Sequence, residues 1–224
     1  MKVSCIIPVY NEAERVGAVL DAVVGHPLVD DIVVIEGGST DGSLEVLRAR
    51  QGFRLIALGK RNGKTHDFMV GLGECKNDLI LALDSDLVGL TPSAITALIE
   101  PVTSGKADIS MSLRKNSLLI FKLLGIDFVT GERVFSKRLI KDPNSLATLP
   151  GFGLESYMNQ LIIEQSLRVK IVRWPTVISP RKSVKFGWWK GVKGDFSMVM
   201  QILSMLKISG VVSQLFKLRA LRVK

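Results

Sequence analysis

Two aspartates one residue apart, Asp84-Ser85-Asp86, close an uncharged Leu79–Leu83 run (LILAL). Residues i and i+2 leave a strand end on the same side, so both carboxylates can share one divalent cation. A Mg2+ or Mn2+ held by Asp84 and Asp86 would neutralise a departing diphosphate, as Lewis acid and template. The plainer reading is a solvated turn with helix-capping aspartates. Its place directly after an uncharged strand favours the metal site, with Asp86 as the first catalytic candidate and Ser85 beside the diphosphate.

Other groups fit the same chemistry. Glu36-Gly37-Gly38-Ser39-Thr40-Asp41-Gly42 is a polar, glycine-rich turn. Its backbone can approach a ligand closely, and its hydroxyls and Asp41 can cap the next helix, whose N-terminus favours anions. Alone it also reads as an ordinary strand–helix turn. Arg61-Asn62-Gly63-Lys64-Thr65 resembles half of a phosphate loop, but Leu58 stands where the first glycine would be. Lys64 is a candidate diphosphate contact, or a surface lysine. Arg133 and the Arg181-Lys182-Ser183-Val184-Lys185 group can grip phosphate oxygens; Arg133 could instead pair with Glu132 or Asp127. Glu155 follows Gly151-Phe152-Gly153 and is either a general base or a favourable charge in a helix's first turn. His26 and His66 lack partners at ligand spacing.

The elements that must position these groups alternate. Val3–Pro8, Ile32–Ile35, Arg54–Leu58 and Leu79–Leu83 read as buried strands, with a fifth at Asp108–Leu113. Helices are expected from an Asn11 N-cap to about Val24, over Ser43–Arg50, Gly63–Cys75 and Ser93–Thr103, the last started by Thr91-Pro92. Gly131–Phe135 reads as a loop, Leu154–Leu167 as a helix and Val169–Trp174 as a strand. This order predicts an α/β fold, a mostly parallel sheet covered on both faces. Ligands then bind beyond the carboxyl ends of the strands, where Tyr10, Glu36 and Asp84 gather.

Composition bounds the partners. The 224 residues are 47% hydrophobic and 23% charged, a globular balance. Of the 30 Lys/Arg, ten fall in residues 181–224 against Asp195 alone, and the preceding body is balanced. A neutral body with a basic end argues against nucleic acid as partner and for a tail with its own anionic surface. Between Phe196 and Ile208 the polar positions Ser197, Gln201, Ser204 and Lys207 form one stripe on an apolar helix, preceded by Trp188-Trp189-Lys190. That is the pattern of a helix lying on anionic lipid; docking on the domain itself or a homodimer interface are the other readings. Cys5 and Cys75 offer no disulfide framework, the N-terminal apolar run is short for a leader, and no stretch reaches about 18 uncharged apolar residues. A cytoplasmic protein, peripheral on the inner face of the membrane, is expected.

VSCIIPVYNE, DDIVVIEGGSTDGSLEVL, NGK and NDLILALDSD, in this order and spacing, resemble glycosyltransferase family 2. TGERVF, GFGLE and PRKSVK look like the branch of that family containing dolichol-phosphate mannose synthase and polyprenyl-phosphate glycosyltransferases. The resemblance implies a GT-A (Rossmann-like) domain over 1–185, with a nucleotide-sugar half (1–115) and an acceptor half (116–185), and a basic amphipathic membrane-associating tail over 186–224. It implies a metal-dependent, inverting transfer from a UDP- or GDP-sugar to a lipid-linked acceptor, or alternatively to a sugar hydroxyl. Pro8, Tyr10, Asn11, Glu12, Glu36, Gly38, Ser39, Lys64, Asp84 and Ser85 would hold the donor, and Arg133, Arg181 and Lys185 the acceptor phosphate. The family commonly carries two adjacent aspartates where this chain has Glu36 and Gly37. A nucleotidyltransferase would bring a Gly- and Arg-rich loop after the first strand, which Pro8-Val9-Tyr10-Asn11 is not. A catalytically silent sugar-nucleotide or membrane-binding module is the rival from another class, and the intact Asp84/Asp86 pair argues against it.

Overall fold

A computed structural model of the chain describes residues 2–140, 153–180 and 213–223. Seven strands form one sheet: β1 (Val3–Val9), β2 (Val29–Glu36), β3 (Arg54–Ala57), β4 (Leu79–Ala82), β5 (Ile109–Arg114), β6 (Arg133–Ser136) and β7 (Val169–Trp174). Their order across the sheet is β3-β2-β1-β4-β6-β5-β7. All neighbouring pairs are parallel except those of β6, which runs antiparallel between β4 and β5. This is the mostly parallel, helix-flanked sheet expected.

Alternation along each strand sends side chains to two separate cores. Ile6, Val33 and Ile35 pack with Phe68 and Leu72 of α3 (Lys64–Glu74) and with Met158 and Ile162 of α6 (Gly153–Glu164). Cys5, Ile7, Ile32 and Val34 face the opposite way, onto Val19 and Leu20 of α1 (Val16–Val23) and Ile95 and Leu98 of α4 (Pro92–Thr103). The remaining helices are short: α2 (Ser43–Arg48), α5 (Leu119–Leu124) and α7, described over residues 213–220.

Two local expectations need correction. Gly131–Phe135 is not simply a loop, because Arg133–Ser136 is β6, with Arg133 opposite both Ala82 and Met111. Its charged start disguises a strand whose Arg133, Val134 and Phe135 are buried in the middle of the sheet. Asn11 does not cap α1, whose N-cap position is Arg15. Asn11 instead adopts a positive φ of 55° and accepts a hydrogen bond from the backbone N of Thr40 at 2.8 Å. The Thr91 cap is as expected: its hydroxyl accepts from the backbone N of Ala94 at 3.2 Å, with Pro92 opening α4. The expected helix at 196–208, and the 185/186 boundary, lie outside the described residues.

At the edge opposite the site, Asp31 is buried and ties three strands together. It accepts from Ser4 Oγ at 2.7 Å, Arg54 Nη2 at 2.8 Å and the backbone N of Lys76 at 3.0 Å. Burial alone would raise its carboxyl; these hydrogen bonds and the Arg54 guanidinium outweigh that and hold it below the usual range. Asp31→Ala should cost about 2–3 kcal/mol in urea unfolding at neutral pH. Because the folded-state pKa is depressed, the stabilisation is present above the unfolded-state value and lost as pH falls through the folded one. The gap between variant and wild type should therefore close in acid.

Candidate functional site

The carboxyl ends of β1, β2 and β4 come together because the three strands are parallel neighbours in register, with Val9 opposite Glu36 and Ile6 opposite Ala82. The loops after β1 and β2 are then stitched to each other. Backbone N–H groups of Asn11, Glu12 and Ala13 donate to Ser39 Oγ, Ser43 Oγ and Asp41 Oδ2 at 2.9–3.0 Å. Glu36 is buried and its carboxylate accepts from the backbone N of Ser39. The side chains of Glu36, Asn11 and Ser39 are thus spent on holding these loops.

Beside this frame opens a cleft of about 240 Å3. Pro8, Tyr10, Glu12, Lys64, Asp84, Ser85 and Asp86 line it, and so do Val9, Arg61, Gly63 and Asp67. Arg61 lies over the Tyr10 ring, 4.6 Å from its centroid. The structure therefore brings together six of the ten expected donor residues, with Asp86 beside them; Asn11, Glu36, Gly38 and Ser39 do not line the cleft, although Asn11, Glu36 and Ser39 brace the loops that do.

At the cleft's inner end the charges are dense. Lys64 Nζ lies 2.7 Å from Asp84 Oδ1 and 3.4 Å from Glu155 Oε1. Partial desolvation would lower the Lys64 pKa, but the two carboxylates outweigh it and hold the ammonium above the lysine range. Likewise burial would raise the Asp84 carboxyl, and Lys64 and Arg114 hold it low. Gly131 permits the packing, since a Cβ there would meet Asp84 Oδ1 at 2.6 Å and Lys64 Nζ at 3.0 Å. Arg114, at the end of β5, is the hub. It sits 2.8 Å from Glu132, 3.7 Å from Asp127 and 3.9 Å from Asp84. Glu132 is fully buried, accepts from Ser112 Oγ at 2.6 Å and from the Thr130 hydroxyl, and has its carboxyl pushed up by burial.

Arg133, expected at an acceptor phosphate, is 1% exposed. Its guanidinium donates to Thr130 O, Phe128 O and Asn159 Oδ1 at 2.8–2.9 Å, so these donors brace the site from within. Arg181 and Lys185 lie outside the described residues. Glu155 is buried in the first turn of α6, with Oε2 lacking a hydrogen-bond partner among the described residues. Asp86 accepts from Ser179 Oγ at 3.1 Å on both oxygens. Ser179 is itself clamped to Asn116 by hydrogen bonds of 2.6 and 3.3 Å.

The metal expectation can be weighed against these donors. Asp84 and Asp86 supply hard carboxylate oxygens, and no cluster of three or more His, Cys, Asp or Glu suited to a metal occurs among the described residues. Such a pair fits Mg2+ or Mn2+, which take few protein ligands and complete their shell with water and phosphate oxygens. Arg114 and Asp67 are the members that sequence reasoning missed. Arg114 ends a strand and carried no motif signal, and Asp67 looked like an ordinary polar position on a helix.

The family model for glycosyl transferase family 2 matches residues 4–120. An undecaprenyl-phosphate 4-deoxy-4-formamido-L-arabinose transferase of Aeromonas hydrophila is 34% identical over 123 residues, 51% of this chain and 37% of that one. A dodecaprenyl-phosphate galacturonate synthase of Rhizobium johnstonii is 26% identical over 125 residues, 52% of this chain and 37% of that one. The matched stretch thus spans little more than a third of either relative. In three dimensions the chain is similar to glucosyl-3-phosphoglycerate synthase from Mycobacterium tuberculosis in complex with Mn2+, UDP and phosphoglyceric acid. The TM-score is 0.70 at 20% identity, covering 96% of this chain and 78% of that one, which establishes the shared fold.

Removing Arg114 would strand buried carboxylates without their counter-charge. Arg114→Met should cost about 3–5 kcal/mol in denaturant unfolding. A loss below about 1 kcal/mol would show that the cluster does not depend on it.

Proposed function

The chain belongs to glycosyl transferase family 2, and on that premise we propose that it transfers a sugar from a nucleoside-diphosphate sugar to a lipid-linked acceptor at a membrane surface, with inversion at the anomeric carbon. The observation that carries this reading is the cleft itself, which runs from Tyr10 and Arg61 to the Asp84-Ser85-Asp86 turn. It is lined by an aromatic ring and an arginine at one end, and its inner end presents paired carboxylates with a lysine beside them. Asp84 and Asp86 would hold a divalent cation, which when bound supplies charge neutralisation at the departing diphosphate. Lys64, already the counter-charge of Asp84, is the second positive group within reach of the phosphates. Residues 1–115 would serve the donor and 116–185 the acceptor.

The relatives' names, with undecaprenyl and dodecaprenyl phosphate in them, support a polyprenyl phosphate as acceptor. Such an oxygen is already anionic and needs no general base. A hydroxyl acceptor would need one, and Glu155, with a free Oε2 among the described residues, is the group placed for it. Arg181 and Lys185 remain the candidates for gripping the acceptor's phosphate.

No helix among the described residues is long and apolar enough to cross a membrane. An apolar face is nevertheless exposed: Leu119 is 72%, Leu123 73% and Ile120 53% accessible on α5, and Phe216 57% on α7. Arg222, just past α7, donates to Leu124 O at 3.2 Å, so the two elements adjoin. Lys115, Lys122, Lys217 and Arg219 are exposed around them, and no acidic residue occurs in 115–126 or 213–223. This supports a bilayer of anionic lipid as the partner, with the 186–224 tail as a further contact on the cytoplasmic face.

Thermal unfolding against UDP-, GDP-, CMP- and dTDP-sugars, with and without Mn2+, tests the donor reading. One nucleotide class should stabilise by about 2.7 kcal/mol at a hundredfold excess over Kd. The shift should require Mn2+ and vanish in Asp86→Ala; absence of any shift sinks the reading. In turnover assays, Glu155→Gln should leave transfer to a polyprenyl phosphate intact, and a collapse would instead point to a hydroxyl acceptor. Flotation with phosphatidylglycerol vesicles tests the surface. The chain should rise with them and not with phosphatidylcholine, and Leu119→Asp/Leu123→Asp should weaken binding without lowering the melting midpoint. Equal flotation of variant and wild type would exclude α5 as the contact.

A further inference from the structure

One feature of the cleft wall is unaccounted for by the metal and phosphate chemistry. Gly37 follows β2 directly, and its φ is not in the left-handed region, so the backbone does not demand glycine there. Space does. A Cβ on Gly37 would stand 2.5 Å from Asp67 Oδ2, and 3.4 Å from both Asp67 Cγ and the carbonyl of Val9. The carboxylate of Asp67, reaching over from the first turn of α3, therefore fills the volume that a side chain at residue 37 would occupy.

Asp67 is only 3% exposed, yet it lines the cleft beside Tyr10, Arg61 and Gly63. Its Oδ1 faces His66 Nδ1 at 3.2 Å, while no hydrogen bond to Oδ2 occurs among the described residues. An acceptor oxygen on a cleft wall with no protein donor of its own is free to take a ligand's N–H or O–H. Burial, with Glu36 nearby, pushes the Asp67 carboxyl up, in keeping with an acceptor short of partners.

The ligand's own charge decides which part meets it. A diphosphate would be repelled by Asp67 and the neighbouring Glu36, and it has Lys64 and the Asp84/Asp86 pair at the other end. The nucleobase is neutral, offers ring N–H groups, and has an aromatic face for the Tyr10 wall. The geometry points to Asp67 as the specificity-determining acceptor for the ring N–H of the donor's base, N3–H of a uracil or N1–H of a guanine. It takes up the room left by Gly37, so that the reading carboxylate comes from a helix instead of from the β2 turn. This inference rests on the nucleotide-sugar reading of the cleft.

Calorimetric titration of the full chain with UDP and GDP in the presence of Mn2+, and with their ring-N-methylated analogues, tests it. Wild type should bind one parent nucleotide at least tenfold more tightly than its methylated form. Asp67→Ala should lose about tenfold to hundredfold in affinity for the parent and bind both forms alike. Its melting midpoint should not fall, since a buried acid with a raised pKa is removed. Gly37→Asp alone should bind poorly, because the new side chain meets Asp67. Gly37→Asp/Asp67→Ala should recover discrimination against the methylated form, a rescue that a merely structural role for Asp67 would not give. If Asp67→Ala keeps wild-type affinity and discrimination, the assignment is overturned while the cleft remains a nucleotide site. If wild type binds neither nucleotide, the nucleotide reading fails and takes this assignment with it.

Discussion

Buried carboxylates must be answered by positive charge, and at the carboxyl edge of this sheet that requirement governs everything else. Asp84, Asp127, Glu132 and Glu155 crowd into one region with Lys64, Arg114 and Arg133. The acids outnumber the bases by one in that set. Burial relieves part of the imbalance by favouring the protonated form of Glu132. Asp86 adds a further carboxylate at the same turn, so the site would still gain from one more cation, which favours a metal at Asp84 and Asp86.

The rest of the fold serves that cluster. Parallel pairing of β1, β2 and β4 delivers Tyr10, Glu36 and Asp84 to one edge, and the cross-loop bonds from Ser39, Asp41 and Ser43 fix the rim. Asp31 does the equivalent work at the far edge, where the same strands begin. Between the two clamps the strands are almost wholly apolar and packed on both faces, so neither edge can shift without the other. The later part of the chain is joined by a different device. Ser179 bridges Asp86 to Asn116, tying the strand-end aspartate to the turn that leads into α5. The exposed apolar helix α5 and the Asp84-Ser85-Asp86 end of the cleft are thereby a few residues apart along one hydrogen-bonded path.

Much of this was legible in the amino-acid order. The first five strands announce themselves as short, mostly apolar runs, and Thr91-Pro92 marks a helix start by capping chemistry alone. The Asp84/Asp86 pair is legible for the same reason, as charge placed abruptly after LILAL. What escaped reading depends on contacts between distant residues. β6 begins at Arg133 directly after Glu132, and charges argue against a buried strand until Arg114 and Asn159 are known to meet them. Asn11 has the residue type of a cap, but its partner is Thr40 across the loop. Glu36 points to a ligand by position and is instead consumed by the turn beneath it. Asp67 has no motif at all, because its meaning lies in the missing side chain of Gly37.

The reversed direction of β6 also has a consequence in time. β4 must wait for β6, more than fifty residues later in the chain, before its second edge is paired, since β5, though synthesised earlier, lies beyond β6 in the sheet. Glu132, which meets Arg114 at 2.8 Å, arrives with that same late segment. A chain emerging from the ribosome as far as β5 therefore holds the Asp84-Ser85-Asp86 turn and the cleft wall but not the strand that seals them. Completion of the sheet and completion of the charge cluster are one event, and it comes late in synthesis because the joining contacts are so far apart along the chain.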